Sequence, residues 1–568
     1  MKYPRIRLEG TDLLKRAGVI YSQILNDLLM KVDEGDSFYP KGFLHTSTTR
    51  MMTPCYYPSM WSRDAGRGLM ELARAGLTEA AGAVTDFIIS KGLDLGDHYG
   101  RVISWFDEEQ CAEKVLEAGT DQSYEVDGNA NLLLGIHMYW KYSGSDPEKG
   151  AAYLDNADRV FGWFEQLGNA CPHGFLLASA SELSGNPFGN FIVYSIYATY
   201  GGICALRAYA EMAEVCGRLQ QAQRYTALAQ KFAESMLEKL VSKGPRHTGQ
   251  DTRTPQGVWL NGLEALSGKA AETGDFGPRF PVHRWTRQLP YVLDFDCGTT
   301  HALNEKIAAA NDASYQYIKD GMTEGYYFRK YGFVSCTCFS GMGNRHDDTM
   351  AGYGQNLFSQ AALLQDDVNI YTKCIEGICR LAYDGDVVRP LTPDSNPWVM
   401  HECFCYENYE QGYDHTFGCN GDDEKFIMHN PGDEGNLVQS SETLKTFAIM
   451  TGISTNADCL EIKPRLPWEC TEAEVADIPV IRPDRSMGRI SYTYRLNRWK
   501  NEFVLHLSGI AAFRKVLVRI GPLPYVLCNE KELAEEWRIT RAYQASFAEK
   551  TISPDGEDTI TVILRNEK

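Results

Sequence analysis

Phe191-Ile192-Val193-Tyr194-Ser195-Ile196-Tyr197-Ala198-Thr199-Tyr200-Gly201-Gly202-Ile203-Cys204-Ala205-Leu206-Arg207-Ala208-Tyr209-Ala210-Glu211-Met212-Ala213-Glu214-Val215 is the stretch whose reading decides the fold. Phe191, Tyr194, Ala198, Gly201, Ala205, Ala208, Met212 and Val215 recur at steps of three and four, the spacing that brings side chains onto one face of an α-helix. The spacing predicts a helix over 190–215, ended by Gly217, with a partner helix over 218–242. Two helices joined by so short a turn lie antiparallel, as an αα-hairpin.

The pattern repeats along most of the chain. Residues 11–34 carry Leu13, Leu14, Ala17, Ile20, Ile24, Leu28 and Leu29 at helical spacing. Helices are predicted at 64–76 and 78–91 on either side of Gly76, and at 127–143 and 148–167 around Gly144-Ser145-Asp146-Pro147. Further ones are predicted at 300–320, 348–364, 366–382 and 434–451. The period is too irregular for a short-repeat solenoid. Long loops at about 35–60, 93–125, 168–189, 244–297 and 384–432 separate the helices, and loops of such length in a compact domain are usually functional. Lying between helices, they are expected to converge at one end of the array. After about residue 455 the period changes to two. Ile490–Leu496, Phe503–Leu507, Val516–Ile520 and Asp558–Leu564 alternate as strands, with Gly521-Pro522 read as a turn. The expected organisation is mainly α: a helical catalytic domain over 1–455 and a small antiparallel, β-sandwich-like accessory domain over 456–568.

A chain of 568 residues exceeds one ordinary core, and its 43% hydrophobic and 23% charged residues are those of a globular protein. With 75 acidic against 56 basic residues the net charge is −19, and that field repels a polyanion, so no nucleic-acid partner is expected and a small neutral ligand is favoured. No apolar run reaches membrane-spanning length. The start Met1-Lys2-Tyr3-Pro4-Arg5-Ile6-Arg7 lacks a signal-peptide core, so the expectation is a cytoplasmic protein with no membrane partner. Cys204 and Cys216, inside helical patterns, read as small buried hydrophobes rather than disulfide partners. No feature sets an oligomeric state.

The candidate binding residues begin with Tyr57-Pro58-Ser59-Met60-Trp61-Ser62-Arg63-Asp64. An indole lies flat on the apolar face of a pyranose, while Arg63 and Asp64 supply donor and acceptor to neighbouring ring hydroxyls. The alternative is a core Trp61 with an Arg–Asp pair capping the helix. Trp105 and Asp107 offer a second platform, or plain loop packing. His346 and Asp347, in Asn344-Arg345-His346-Asp347-Asp348, contact substrate or cap the following helix. Two C-x-C pairs, Cys336/Cys338 and Cys403/Cys405, the latter preceded by His401-Glu402, carry zinc-ligand chemistry without C-x-x-C spacing; no metal or other cofactor is expected.

On this background four segments, in order, resemble those of glucoamylase-type glycoside hydrolases and the glucosidase half of bacterial glycogen-debranching enzymes. Trp61-Ser62-Arg63-Asp64 is similar to the W-x-R-D segment that binds the non-reducing sugar. Asp121-Gln122-Ser123-Tyr124-Glu125-Val126-Asp127-Gly128-Asn129-Ala130 resembles the segment that enters a helix and lines the pocket, implying roles for Gln122, Tyr124 and Asp127; Asp127 alternatively is only a helix N-cap. Ser181-Glu182-Leu183-Ser184-Gly185-Asn186-Pro187-Phe188 resembles the segment holding the general acid, here Glu182, with Asn186 nearby. Gly432-Asp433-Glu434-Gly435-Asn436-Leu437 resembles the segment whose glutamate, here Glu434, is the general base. Ser181 stands where the family has a Trp-Glu-Glu run, and Asp433-Glu434-Gly435 departs from Gly-Glu-Gln. The resemblance implies an (α/α)6 toroid and exo-acting, inverting hydrolysis of a small neutral oligosaccharide.

Inverting hydrolysis needs one carboxyl to protonate the leaving oxygen and another, roughly 6.5–9.5 Å away, to activate water. The apolar approach Phe175-Leu176-Leu177-Ala178 favours a protonated Glu182, and a helix N-terminus favours a charged Glu434, although Asp433 opposes it. The rivals are a glycoside phosphorylase, a zinc-thiolate glycosidase using Cys336, Cys338, Cys403 and Cys405, and a non-catalytic carbohydrate-binding protein.

Overall fold

The computed structural model describes residues 2–35, 39–46, 60–91, 105–106, 113–114, 126–179, 193–244, 255–260, 262–265, 293, 295–296, 305–323, 326–334, 349–383, 400, 403–405, 435–456, 458–497, 502–523 and 537–565. Among them are helices α1 (Asp12–Met30), α2 (Ser62–Arg74), α3 (Thr78–Lys91), α4 (Val126–Tyr142), α5 (Pro147–Ala170), α6 (Ile196–Val215), α7 (Leu219–Lys239), α8 (Glu305–Thr323), α9 (Tyr326–Tyr331), α10 (Gly352–Leu364), α11 (Val368–Tyr383) and α12 (Leu437–Thr451).

Burial sorts these helices into two rings. α2 is buried from Ser62 through Ala73, α4 from Val126 through Trp140, and α12 at every position except Ala448. A helix buried on all sides has neighbours all round. α1, α5 and α7 instead bury one stripe each, such as Ala222, Tyr225, Leu228, Ala229, Phe232, Ala233 and Met236 on α7. The inner helices touch in sequence, α2 with α4 and α4 with α6, and α10 with α12; α12 closes back onto α2. Between α7 and α8 residues 293, 295 and 296 are helical, at the remaining inner position. The chain thus alternates outer and inner helices around a ring, and α1 seals it by packing on α11 and α12.

Alternation makes the two ends of the ring different. Inner helices pass to the next outer helix through residues 75–77, 143–146, 216–218 and 365–367. Outer helices return to the next inner one through the long stretches 31–61, 92–125, 171–195 and 384–436, which therefore all start and finish at the end where the inner helices begin. Short strands form a rim there. β2 (Met60–Trp61), β6 (Val193–Ser195) and β8 (Thr349–Ala351) lead directly into α2, α6 and α10. β2 pairs with β3 (Trp105–Phe106), which pairs with β4 (Glu113–Lys114); β6 pairs with β5 (Ala178–Ser179) and β7 (Gly262–Ala265); β8 pairs with β9 (Cys403–Cys405).

Several local readings differ from the sequence expectation, two of them for a clear physical reason. The helix expected over 190–215 begins only at Ile196, because Val193 and Tyr194 are taken into the rim ladder and Ser195 caps the helix, its hydroxyl accepting from the Ala198 N–H at 3.2 Å. Gly521-Pro522 is no turn: β15 (Lys515–Leu523) runs through it, with a register shift against its partner between Ile520 and Leu523, the kind of irregularity that admits proline into a strand.

The carboxy-terminal strands form two five-stranded sheets. One runs β1 (Arg5–Glu9), β12 (Glu472–Ile481), β13 (Met487–Asn497), β14 (Glu502–Ser508), β18 (Thr559–Arg565), antiparallel throughout. The other runs β10 (Ile453–Asn456), β11 (Cys459–Ile462), β15, β17 (Ala545–Ile552), β16 (Arg538–Ala542), with one parallel pair, β11 with β15. Alternation in β14 buries Phe503, Leu505 and Leu507. The first strand of the chain thus completes a sheet made otherwise of the last hundred residues. At the short-turn end the ring is fastened to these sheets: Arg519 donates to Asp366 at 2.5 and 2.7 Å, and the Tyr371 hydroxyl reaches the Leu466 carbonyl at 3.1 Å.

The inner ring is tight because glycines let helices α2 and α4 approach. A Cβ on Gly66 would lie 2.4 Å from the Asn131 carbonyl carbon, and one on Gly128 2.3 Å from Ser62 Oγ. The neighbour of Gly66 is backbone and cannot yield freely. Gly66→Ala is expected to destabilise the fold by about 1–3 kcal/mol, the usual cost of overpacking. Urea unfolding measures it, and an unchanged midpoint would show that α2 and α4 can separate freely.

Candidate functional site

Helix α2 sets the axis of the ring. Arg63, Arg67, Glu71 and Arg74 follow at steps of four, four and three, one stripe on one helical face, and Arg63, Arg67 and Glu71 are buried. Nearest the long-connection end, Arg63 Nε donates to Asp127 Oδ2 at 2.6 Å; both groups are buried. Asp127 lies in the first turn of α4 rather than at its cap, since the helix already includes Val126. Asp64 shares that turn of α2 with Arg63 and is also buried.

One turn below, Arg67 joins four parts of the ring. Its Nη1 donates to Asp296 Oδ2 at 2.5 Å and its Nη2 to the Tyr197 hydroxyl at 2.8 Å, while Nε lies 3.3 Å from Glu442 Oε1. Asn131 Nδ2 also donates to the Tyr197 hydroxyl, at 3.2 Å, and Gln360 Nε2 to Glu442 Oε2, at 2.6 Å. Lower still, Lys445 Nζ donates to Asp296 Oδ2 at 2.6 Å, Arg74 Nη2 lies 3.3 Å from Asp296 Oδ1, and Arg74 also pairs with Glu71.

The electrostatics follow from burial and partners. Burial alone would push Asp296 up, but Lys445, Arg67 and Arg74 outweigh it and hold the carboxyl at about 2. Glu71 goes the other way. Burial pushes it up to about 7 although Arg74 pulls it down, and the nearby Asp296 and Glu442 add to the rise.

The sequence-derived residues divide clearly. Arg63 and Asp127 are brought into contact, with Asp64 beside them. Trp61, at the N-cap position of α2, is the cross-strand partner of Trp105, so the two expected platforms are register neighbours in the rim. The Trp61 N–H donates to Thr46 Oγ1 at 3.3 Å. Tyr57, Asp107, Gln122, Tyr124, Glu182, Asn186, His346, Asp347 and Glu434 lie outside the described residues, as do Cys336 and Cys338. Cys403 and Cys405 stand on β9, in register with Ala351 and Thr349. Among the described residues no group of three or more metal-ligating side chains forms a site, and no helix is long and apolar enough to cross a membrane.

Sequence reasoning missed Arg67, Tyr197, Asp296, Glu442 and Lys445. The available signal was the stripe 63, 67, 71, 74 on a helix whose other positions include Ala65, Gly66 and Gly68, too small to cover a core from the opposite side. A cavity of about 150 Å³ lies at the short-turn end, between Glu71, Arg74, Tyr142 and Phe295 of the ring and Ile478 and Pro479 of the sheets. None of the sequence-derived site residues lines it.

The raised carboxyl has a measurable consequence. Between pH 4.5 and about 7 the folded chain keeps a proton on Glu71 that the unfolded chain has lost, so stability falls as pH rises through that window, by on the order of 3 kcal/mol in total. Asp296, held low, contributes stability that is present above its unfolded value and lost as pH falls toward 2. Glu71→Gln is expected to leave stability near pH 5 unchanged and raise it at pH 8. Urea unfolding between those limits tests this; parallel curves for both proteins would show that Glu71 does not titrate in the window.

No protein-family model matches the sequence, and no curated protein matches it. Solved structures do. The chain is similar to an α-L-rhamnosidase from Dictyoglumus thermophilum (TM-score 0.52, 8% identity, covering 100% of this chain and 51% of that one). It is similar to a GH78-family rhamnosidase of Bacillus sp. GL1 (TM-score 0.50, 12% identity, 87% of this chain and 40% of that one). It is also similar to glucoamylase from Saccharomycopsis fibuligera (TM-score 0.51, 10% identity, 78% of this chain and 96% of that one). The chain thus spans about half or less of each rhamnosidase and nearly all of the glucoamylase length. At such identities the likeness is one of fold. The ring of alternating outer and inner helices found here is the six-hairpin (α/α)6 toroid that these glycoside hydrolases share.

Proposed function

We propose that this chain is a glycoside hydrolase that removes a terminal sugar from a small neutral oligosaccharide with inversion, in the cytoplasm. One observation carries the reading: the described ends of the long connections, together with Trp61, Arg63, Asp64 and Asp127, lie where the inner helices begin. An aromatic plate beside a buried Arg–carboxylate pair suits a ring of hydroxyls with one apolar face.

In this reading Glu182 is the general acid and Glu434 the general base. Covalent reach supports both. Glu182 follows Ser179 of the rim strand β5 by three residues, at most about 10 Å of chain. Glu434 precedes Asn436, the N-cap of α12, by two residues, at most about 7 Å. Glu182 donates its proton to the glycosidic oxygen as the bond to the anomeric carbon breaks. Glu434 takes a proton from the water that attacks the opposite face of that carbon, and the sugar leaves with inverted configuration. Arg63 and Asp64 orient the ring, with Asp127 holding Arg63 in place. The domain division at about residue 455 belongs to the same proposal, the sheets serving as support for the ring.

Glu182→Gln and Glu434→Gln are each expected to lower kcat by at least about a hundredfold while leaving thermal unfolding unchanged. A panel of rhamnosides and glucosides, with the released anomer followed by NMR, measures both activity and stereochemistry. Retention of configuration, or near wild-type turnover in both variants, would overturn the two-glutamate mechanism.

A further inference from the structure

The axial layer around Arg67 has hydrogen-bonding capacity that the described protein groups do not fill. Two oxygens lie close to the Arg67 guanidinium: the Tyr197 hydroxyl, which accepts from Nη2 at 2.8 Å, and Glu442 Oε1, 3.3 Å from Nε. The tyrosine oxygen also accepts from Asn131 Nδ2 at 3.2 Å. Two accepted bonds occupy both lone pairs, so the O–H proton is directed elsewhere, and no described residue accepts it. Glu442 is complete on Oε2, through Gln360 at 2.6 Å, whereas Oε1 has the charge of Arg67 nearby but no hydrogen bond. Tyr197 and Glu442 are 3% and 1% exposed.

A buried donor and a buried acceptor, both beside one guanidinium and each one partner short, define what fits between them. An anion only accepts and an ammonium only donates. A hydroxyl does both. The layer lies one turn below the Arg63–Asp127 pair, since Arg67 and Asn131 each follow those residues by four positions, and Tyr197 is the second residue of α6. It is therefore the first layer beneath the end to which the sugar site is assigned.

We infer that Tyr197 and Glu442 hold one and the same hydroxyl of the innermost sugar, the tyrosine donating to its oxygen and Glu442 Oε1 accepting its proton. The inference rests on the sugar-cleaving reading and adds to it the residues that determine specificity. No bond is made or broken by this pair. Its role is to select a sugar bearing a hydroxyl at one ring position, and a site built to hydrogen-bond a hydroxyl discriminates strongly against the analogue lacking it.

Calorimetric titration of the full chain with L-rhamnose, D-glucose and their monodeoxy analogues tests the pair without requiring turnover. Wild-type protein should bind one of the parent sugars and lose about tenfold or more in affinity for one deoxy analogue, a difference of roughly 1.4 kcal/mol. Tyr197→Phe should bind the parent and that analogue equally. Glu442→Gln, which turns the acceptor into a donor, should also lose the distinction and serves where the phenylalanine variant fails to fold; thermal unfolding identifies that case. Variants that discriminate as the wild type does would overturn the inference, leaving water as the occupant of the pair. Wild-type protein that binds no sugar of the panel would overturn the sugar-site reading itself.

Discussion

A single guanidinium holds the axis of this toroid together. Arg67 reaches Asp296, Tyr197 and Glu442 at once, and so ties α2, α6, α12 and the helical residues near 296 into one node. Arg74 and Lys445 share Asp296 with it and Arg74 also pairs with Glu71, so that, Tyr197 aside, three cations face the three carboxyls of Asp296, Glu442 and Glu71. Removing such charges from water costs several kcal/mol per ion, and only close, hydrogen-bonded opposite charges offset it. The six groups therefore depend on one another. That dependence also explains why the inner helices, though buried on all sides, are not apolar on all sides: their outward faces make the greasy contact with the outer ring and their axial faces carry the charge network.

The network divides the ring's two ends. At the short-turn end the described connections 75–77, 143–146, 216–218 and 365–367 are short, and the sheets are bound there by Arg519 on Asp366 and Tyr371 on the Leu466 carbonyl. At the other end the chain makes its long excursions, anchored by two- and three-residue strands that enter the inner helices. A floor of paired charges at the axis holds the scaffold fixed independently of the sequences that join outer to inner helices. The fold is shared with enzymes whose own sequences agree with this one at 8–12% of positions, which is consistent with packing and not residue identity being what the ring demands.

Much of this fold was legible in the sequence. The hairpins were, because apolar residues at steps of three and four are stopped by Gly76, Gly144 and Gly217, all of which adopt positive φ. The rim strands were not: Val193–Ser195 has the composition of the helix it precedes, and only pairing with Ala178–Ser179 and 262–265 makes it a strand. The first strand was missed for a related reason. Arg5-Ile6-Arg7-Leu8-Glu9 does alternate, but it is five residues long and its partner is at the far end of the chain. In the site, Arg63 and Asp127 were found because each sits in a recognisable segment. Arg67, Glu71 and Arg74 were not, because a charged stripe on one helical face reads as the solvent side of an amphipathic helix. Only the ring, which gives α2 neighbours on every side, turns that stripe inward.

The pairing of the first strand with the sheet has a consequence for how the molecule is made. The Thr471 N–H bonds to the Glu9 carbonyl, 462 positions earlier in the chain. At about 5–20 residues per second, translation leaves Ile6 and Leu8 without their partners for on the order of a minute. Until then the hairpins can form only an open arc, with the inward side of α1 waiting for α12. The strand Arg5–Glu9 can be seated only after Glu472–Ile481 has been made, so sheet and ring close along one late seam.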